Sequence, residues 1–268
     1  MLRGMMQPMV LRLTLFFALL AGGLGLARAD EARAPAPRPA EVGQALPADG
    51  PRYVEGEAHP GGTGRYYFGR EIAAFMSHHG ADWLERAERE QEEAPSRLHE
   101  WLAVPRGAAV ADVGAGTGYH SRRLATAVGP TGRVYAADVQ PEMLERLREG
   151  ARAANITHIE TVLSSPIDPG LPSACCELIL LVDVYHELAH PYEFTRRLVE
   201  ALRPGGRLVI VEYRAKATSP QDAAPPIHAL HTMTEAQLLL EMAVQPLEWE
   251  ATFGDLPWQF AMAFRKPG

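Results

Sequence analysis

The chain has 268 residues, 47% hydrophobic and 22% charged, with a formal net charge of −7. That composition supplies enough apolar chain for one sizeable core, and its acidic balance gives no broad electrostatic footprint for nucleic acid. The two cysteines, Cys175 and Cys176, are adjacent, so they form neither a multi-bridge framework nor a metal knuckle.

Residues 1–29 read as a secretory signal peptide. Arg3 and Arg12 flank or enter an apolar run from Val10 to Leu26, and Ala27-Arg28-Ala29 offers a small-residue cleavage site. The expectation is an exported protein, periplasmic or secreted, or a membrane-tethered one if the segment stays uncleaved. Cleavage takes away three arginines and no acid, which moves the net charge from −7 to −10. Residues 30–64, with Pro35, Pro37, Pro39, Pro47, Pro51 and Pro60, read as a disordered linker with little capacity to bury a core. Residues 65–95 read as a helical cover, with Ile72, Phe75, Met76, Trp83 and Leu84 at helical spacing from Tyr66 to Glu93 and a break at Gly80. Pro95-Ser96 restarts a helix and opens the main domain, residues 96–268.

From there strands and helices alternate. Val110–Val113 is a predicted strand, 119–128 a helix, Arg133–Asp138 a second strand and 141–154 a helix with proline in its first turn. Ile159–Leu163 is a third strand. Cys175 and Cys176 read as small residues in the turn before the fourth, a strained vicinal disulfide being the alternative. That fourth strand, Leu178–Asp183, is apolar up to its last residue, as a strand covered on both faces should be. A helix over 191–202, a fifth strand over 207–213, a helix over 234–244 and a closing hairpin over roughly 247–265 complete the pattern. It is that of an α/β, doubly wound, Rossmann-like sheet, in which ligands lie at the carboxyl ends of the strands.

The most telling segment is Asp112-Val113-Gly114-Ala115-Gly116-Thr117-Gly118, a glycine turn between strand and helix. Its spacing is D-x-G-x-G-x-G. The dinucleotide fingerprint G-x-G-x-x-G requires a third glycine where this chain has Tyr119. The loop therefore favours a cofactor made of a nucleoside and a charged amino-acid tail. Asp138, ending the second strand, can accept both hydroxyls of a ribose; a helix cap ahead of Pro141 is its other reading.

These residues resemble the class I S-adenosylmethionine-dependent methyltransferases. Val110–Gly118 is similar to that family's first motif, Asp138 falls on its ribose-binding acid, and Leu178–Tyr185 resembles its fourth-strand motif. Leu202-Arg203-Pro204-Gly205-Gly206-Arg207-Leu208 is similar to its L-x-P-G-G-x-L turn. Gly69–Ile72 and Trp83–Arg86 resemble bacterial members with an N-terminal helical cover. The resemblance implies a seven-stranded sheet with an antiparallel last strand and S-adenosyl-L-methionine as cofactor. It also implies a cofactor-binding set of Asp112, Gly114, Ala115, Gly116, Gly118, Asp138, Val139, Ser165 and Asp183. Ser165 departs from the pattern, because the family usually places an acid there and serine lacks its charge-assisted contact.

Methyl transfer needs a general base only when the acceptor must lose a proton. The candidates after the fourth strand are Asp183, Tyr185, His186 and Glu187, with His186 foremost because an imidazole titrates near neutrality. Tyr119 and His120 could cover the cofactor, and Arg214, His228 and His231 could meet the acceptor. The expected partner is a small or lipophilic acceptor, with no nucleic acid, no metal, and membrane contact only through the signal peptide.

Two other readings stand beside this one. His186-Glu187-Leu188-Ala189-His190 matches the zinc-protease pattern H-E-x-x-H. That chemistry needs both histidines on one helical face, and Pro191 pushes His190 out of helical geometry. A non-catalytic cofactor-binding domain is the other, motivated by export away from the compartment where S-adenosylmethionine is made.

Overall fold

The computed structural model describes residues 53–215 and 226–268. The predicted signal peptide and linker residues 30–52 lie outside the described residues. Residues 53–73 form a three-stranded antiparallel meander, β1 (Tyr53–Glu55), β2 (Gly62–Tyr67) and β3 (Arg70–Ala73). The end of the expected linker and the start of the expected helical cover are therefore strand. The reason is local. Phe68 and Gly69 both have positive φ, 48° and 82°, which makes a two-residue hairpin turn of the kind whose twist suits flanking strands. Tyr67 and Ile72 then bury their side chains. Of the apolar spacing taken for a helix, Ile72 belongs to the hairpin, while Phe75, Met76, Trp83 and Leu84 follow it. Beyond it come a 3-10 segment (His78–Glu85), α1 (Arg89–Glu92) and α2 (Pro95–Leu102).

The main domain follows its pattern closely. Its elements are β4 (Ala109–Val113), α3 (Tyr119–Val128), β5 (Arg133–Asp138), α4 (Pro141–Ala153), β6 (Ile159–Leu163) and β7 (Cys176–Val182). They continue with α5 (Pro191–Ala201), β8 (Leu202–Tyr213), α6 (Glu235–Met242), β9 (Glu248–Phe253) and β10 (Gln259–Arg265). The strands pair in the order β6-β5-β4-β7-β8-β10-β9. All neighbours through β8 are parallel, and β10 runs antiparallel to both β8 and β9. Cys176 starts β7, and both cysteines are free thiols with sulfurs 3.1 Å apart.

Two cores result, one on each face, because successive residues of a strand point to opposite sides. Val110, Leu178, Leu180, Val209 and Val211 pack with Leu98, Leu102, Leu124 and Val128 from α2 and α3. Ala111, Val113, Ile179, Leu181 and Ile210 pack with Phe194 and Leu198 of α5 and Leu238 and Leu239 of α6. This explains the unbroken apolar run of β7, which lies inside both layers. Strand order reverses direction between β4 and β7, so the loops after them diverge and open a crevice at the carboxyl edge.

The meander is held over that edge by a buried ion pair. Arg70 Nε and Nη2 donate to Glu241 of α6 at 2.8 and 3.0 Å, and Arg70 Nη1 donates to the His186 carbonyl at 2.8 Å. Neither partner is well exposed, at 10% and 0% of the side chain. Removing one member leaves an uncompensated buried charge, which typically costs about 3–5 kcal/mol. Arg70→Ala is expected to lower unfolding free energy by about 3 kcal/mol or more in urea titrations. The double variant Arg70→Met with Glu241→Leu is expected to recover most of that loss.

Candidate active site

A cavity of about 570 Å³ sits at the carboxyl edge of the sheet, a size typical of small-molecule sites. Its floor comes from the loop after β4. Gly114 and Gly116 have φ of +71° and +51°, a region that side-chain-bearing residues rarely adopt. A Cβ on Gly116 would lie 2.8 Å from Leu84, and one on Gly114 would strike Val184. The loop backbone is fixed from the next strand. Asp138 Oδ2 accepts from Gly116 N at 2.8 Å, and Oδ1 accepts from Gln140 N at 2.9 Å. Asp138 also lines the cavity, so the capping and ligand-facing readings of this carboxylate hold together. Burial raises its pKa above the usual carboxylate range, against the lowering by its backbone hydrogen bonds.

Of the expected cofactor-binding residues, Gly114, Gly116, Asp138, Val139, Ser165 and Asp183 line the cavity. Asp112, Ala115 and Gly118 do not border it; they hold the loop from behind. The Asp112 carboxylate is buried and accepts from Ser121 Oγ at 2.6 Å, Ala115 packs with Ala136 and Leu147, and a Cβ on Gly118 would lie 2.6 Å from Leu147. Ser165 folds a local turn, its Oγ accepting from Asp168 N at 3.1 Å.

Asp183 follows β7 with φ of +55°, a conformation that aspartate tolerates better than most residues. Its Oδ2 accepts from Gln259 Nε2 at 2.6 Å, while its buried Oδ1 has no hydrogen-bond partner. Burial raises its pKa well above normal, and the nearby carboxylates of Glu93 and Glu212 raise it further. An unsatisfied buried oxygen costs about 1–3 kcal/mol, so this position favours a ligand that brings a donor.

His186 sits in the 3-10 turn Tyr185–Glu187 and lines the cavity. Its Nδ1 lies 2.6 Å from Glu212 Oε2, its backbone N donates to Glu212 Oε1 at 3.2 Å, and its Nε2 lies 2.9 Å from His231 Nδ1. Burial presses the His186 pKa down, but the charge and hydrogen bond of Glu212 outweigh it and raise the value. His231 is pushed down to about 4 by burial and by His186. Glu187 also faces the cavity and is raised to about 7, chiefly by burial. Sequence reasoning missed Glu212. Its signal was a lone carboxylate in the otherwise apolar strand Leu208–Tyr213.

Tyr185 is a correction. Its side chain is buried in the core between sheet and helices rather than in the cavity, because the 3-10 turn directs neighbouring side chains to different sides. Tyr119 stacks under Arg89 and Arg123, and His120 bonds Arg89 and His99; neither borders the cavity. His228 and His231 do border it. Arg214 does not, its guanidinium donating to Gly254 O and Glu235. The H-E-x-x-H segment forms no α-helix; its first two residues lie in the 3-10 turn. His190 has φ of −135° and ψ of 67°, and its ring packs against Tyr53 and Arg65. The roof comes from Phe75, Met76, Trp83 and Leu84. Gln140 ties it down, its Oε1 accepting from His78 N at 2.7 Å and its Nε2 donating to Met76 O at 3.0 Å.

Comparison with known proteins agrees with this geometry. Residues 110–206 match the family model described as a methyltransferase domain. A protein-L-isoaspartate O-methyltransferase of Aeropyrum pernix is 37% identical over 117 residues, 42% of each chain. A ubiquinone/menaquinone biosynthesis C-methyltransferase of Enterobacter is 28% identical over 131 residues, 48% of this chain and 52% of the relative. The chain thus spans about half the length of the curated relatives it matches. A solved S-adenosylmethionine-dependent methyltransferase from Aquifex aeolicus shares the fold with a TM-score of 0.66 and 22% identity, over 72% of this chain and 100% of its own. Residues 110–206 thus match a methyltransferase domain, within a fold shared with solved methyltransferases.

Asp112 gives a pH test of the loop's support. Burial raises its pKa to about 6 despite the Ser121 hydrogen bond. Unfolded aspartate titrates near about 3.9, so this group weakens folding as pH rises from about 4 to about 6 and adds a constant cost above that. Asp112→Asn is expected to gain stability relative to the parent across that window, with the difference level above pH of about 7. Urea midpoints at several pH values measure it, and a difference independent of pH would contradict the assignment.

Proposed function

We propose that this protein transfers a methyl group from S-adenosylmethionine to a small, lipophilic acceptor. The observation that carries the reading is Asp138, which holds the glycine loop while bordering the cavity. The cavity's acids fit the cofactor's character. Among the described residues Asp138, Asp183 and Glu187 border it with Arg89. Burial raises the pKa of all three acids, and a ligand bringing an ammonium and a sulfonium would favour their ionised forms. The Asp183 side chain at the cavity wall offers a partner for that ammonium, and Asp138 offers an acceptor for ribose hydroxyls. When bound, the cofactor supplies an electrophilic methyl group, and the protein's part is alignment and exclusion of water.

The acceptor side supports the lipophilic reading. Phe75, Met76, Trp83, Leu84, Leu188 and Ile227 border the cavity. Beside them lies His186, oriented by Glu212 with Nε2 bonded to His231, and this imidazole pair is the candidate proton acceptor for a substrate that must shed a proton. The names of the matched relatives, an O-methyltransferase and a C-methyltransferase, support transfer to oxygen or carbon. The amino-terminal sequence supports action after export, with the cofactor or its supply outside the cytoplasm.

Calorimetry with S-adenosylmethionine and its demethylated product tests the reading. Binding is expected in the micromolar range, and Asp138→Ala is expected to weaken it by at least ~1.5 kcal/mol, the value of a hydrogen bond to a charged group. Absence of binding by the intact protein would overturn the function. Tight binding without a one-methyl mass gain on any of a panel of phenolic and quinol acceptors would favour the binding-only reading.

A further inference from the structure

We propose that His186, Glu187 and His231 form a binding site for a divalent transition-metal ion of the zinc class, on the acceptor side of the cavity. The three residues come from two separate elements, the turn after β7 and the 3-10 turn Ala229–His231. One ligand atom from each lies within 4.8 Å of the others, and all three residues border the cavity. Two imidazoles and one carboxylate are the donor types that suit zinc, iron, cobalt or nickel; magnesium and calcium favour all-oxygen sets.

The orientation of His186 carries the argument. Its Nδ1 lies 2.6 Å from the buried Glu212 carboxylate, which accepts the proton of that nitrogen. The tautomer is thereby fixed, and Nε2 is left with its lone pair. A carboxylate behind a histidine is the usual support of a metal-ligating imidazole. Nε2 accepts from His231 Nδ1 at 2.9 Å, so an ion would replace the proton that now lies between two nitrogens brought together from separate elements. Glu187 adds the carboxylate, held by Met76 N at 3.2 Å through Oε2. A zinc–nitrogen bond of about 2.0 Å sets ligand atoms about 3.3 Å apart in a tetrahedron. Closing the present set around an ion therefore needs a side-chain adjustment of about an ångström. Three protein ligands leave a coordination position open toward the cavity, as in catalytic metal sites.

The site differs from the H-E-x-x-H pattern in its third member. His190, the second histidine of that pattern, is engaged with Tyr53 and Arg65, and His231, far along the chain, takes its place. The proton sits on Nδ1 and an ion would take Nε2, the nitrogen a base role would use. The metal site rests on side-chain geometry alone and stands whether or not methyl transfer is the reaction.

The test is metal binding by the full chain, stripped with chelator and then titrated with zinc, with cobalt(II) as a spectroscopic probe. One equivalent of either ion is expected, and cobalt is expected to give visible absorption typical of mixed nitrogen and oxygen ligation. Glu187→Gln, His231→Ala and Glu212→Gln are each expected to weaken zinc binding at least tenfold, as losses of ligand or ligand support do. His190→Ala is expected to leave it unchanged. Circular dichroism on each variant checks folding, and a variant that unfolds is replaced by His231→Gln. Zinc binding no tighter than in the double variant His186→Ala/His231→Ala would overturn the proposal, as would an equal loss on His190→Ala. Calorimetry with S-adenosylmethionine on chelator-treated protein reads the methyl-donor site separately, so failure of one reading is distinguishable from failure of the other.

Discussion

The hydrogen bond from Gly116 N to the Asp138 carboxylate joins the loop after β4 to the end of β5, and the cavity's geometry depends on it. A glycine loop on its own has many accessible backbone states, since glycine loses more conformational freedom on folding than any other residue. The acceptor supplied from the neighbouring strand selects one of them. Gln140 N shares the same carboxylate, so the first turn of α4 is placed by the group that places the loop. Two stretches of sequence, the loop after β4 and the junction of β5 with α4, thus meet at one buried side chain. The parallel pairing of β4 with β5, in register from Ala109 against Arg133, brings that side chain to the height of the loop.

Buried acids dominate this edge. Asp112, Asp138 and Glu212 are nearly inaccessible, and one Asp183 oxygen is sealed from solvent. Burying a carboxylate is costly unless it is hydrogen-bonded or paired, and each finds a different answer. Asp112 has a hydroxyl, Asp138 two backbone amides, Glu212 an imidazole and a backbone amide, and Asp183 an amide side chain on one oxygen alone. Burial raises the pKa of Asp112, Asp138 and Asp183, so the edge gathers acids whose ionised forms call for a compensating positive charge. Such an environment strengthens attraction for a cationic ligand relative to water.

Much of the sheet was legible because its signals are local. Helix Tyr119–Val128 and strands Arg133–Asp138 and Ile159–Leu163 have the bounds that glycine, proline and apolar periodicity indicate. The meander was not legible, because its turn is Phe68-Gly69 rather than an asparagine–glycine pair, and the spacing of Ile72 and its neighbours fits a helix as well as a hairpin. Within the site, Asp138 and the glycines are marked by spacing from a strand. Tyr185 and His186 are adjacent in sequence, yet one enters the core and the other the cavity. That choice is made by a 3-10 turn whose geometry the composition does not announce. Glu212 and His231 lie 26 and 45 residues from His186, and only the parallel pairing of β7 and β8 and the turn beyond them bring the three together.

The tie between Gln140 and the roof reads only main-chain atoms of residues 76 and 78. The side chains that face the cavity from this strap, among them Phe75, Met76, Trp83 and Leu84, take no part in that tie. Attachment and selectivity are thereby carried by different atoms of the same segment. Substitutions along the strap can reshape this side of the cavity while its anchorage stays intact. A scaffold organised in this way can change what its cavity admits at low cost to its own integrity.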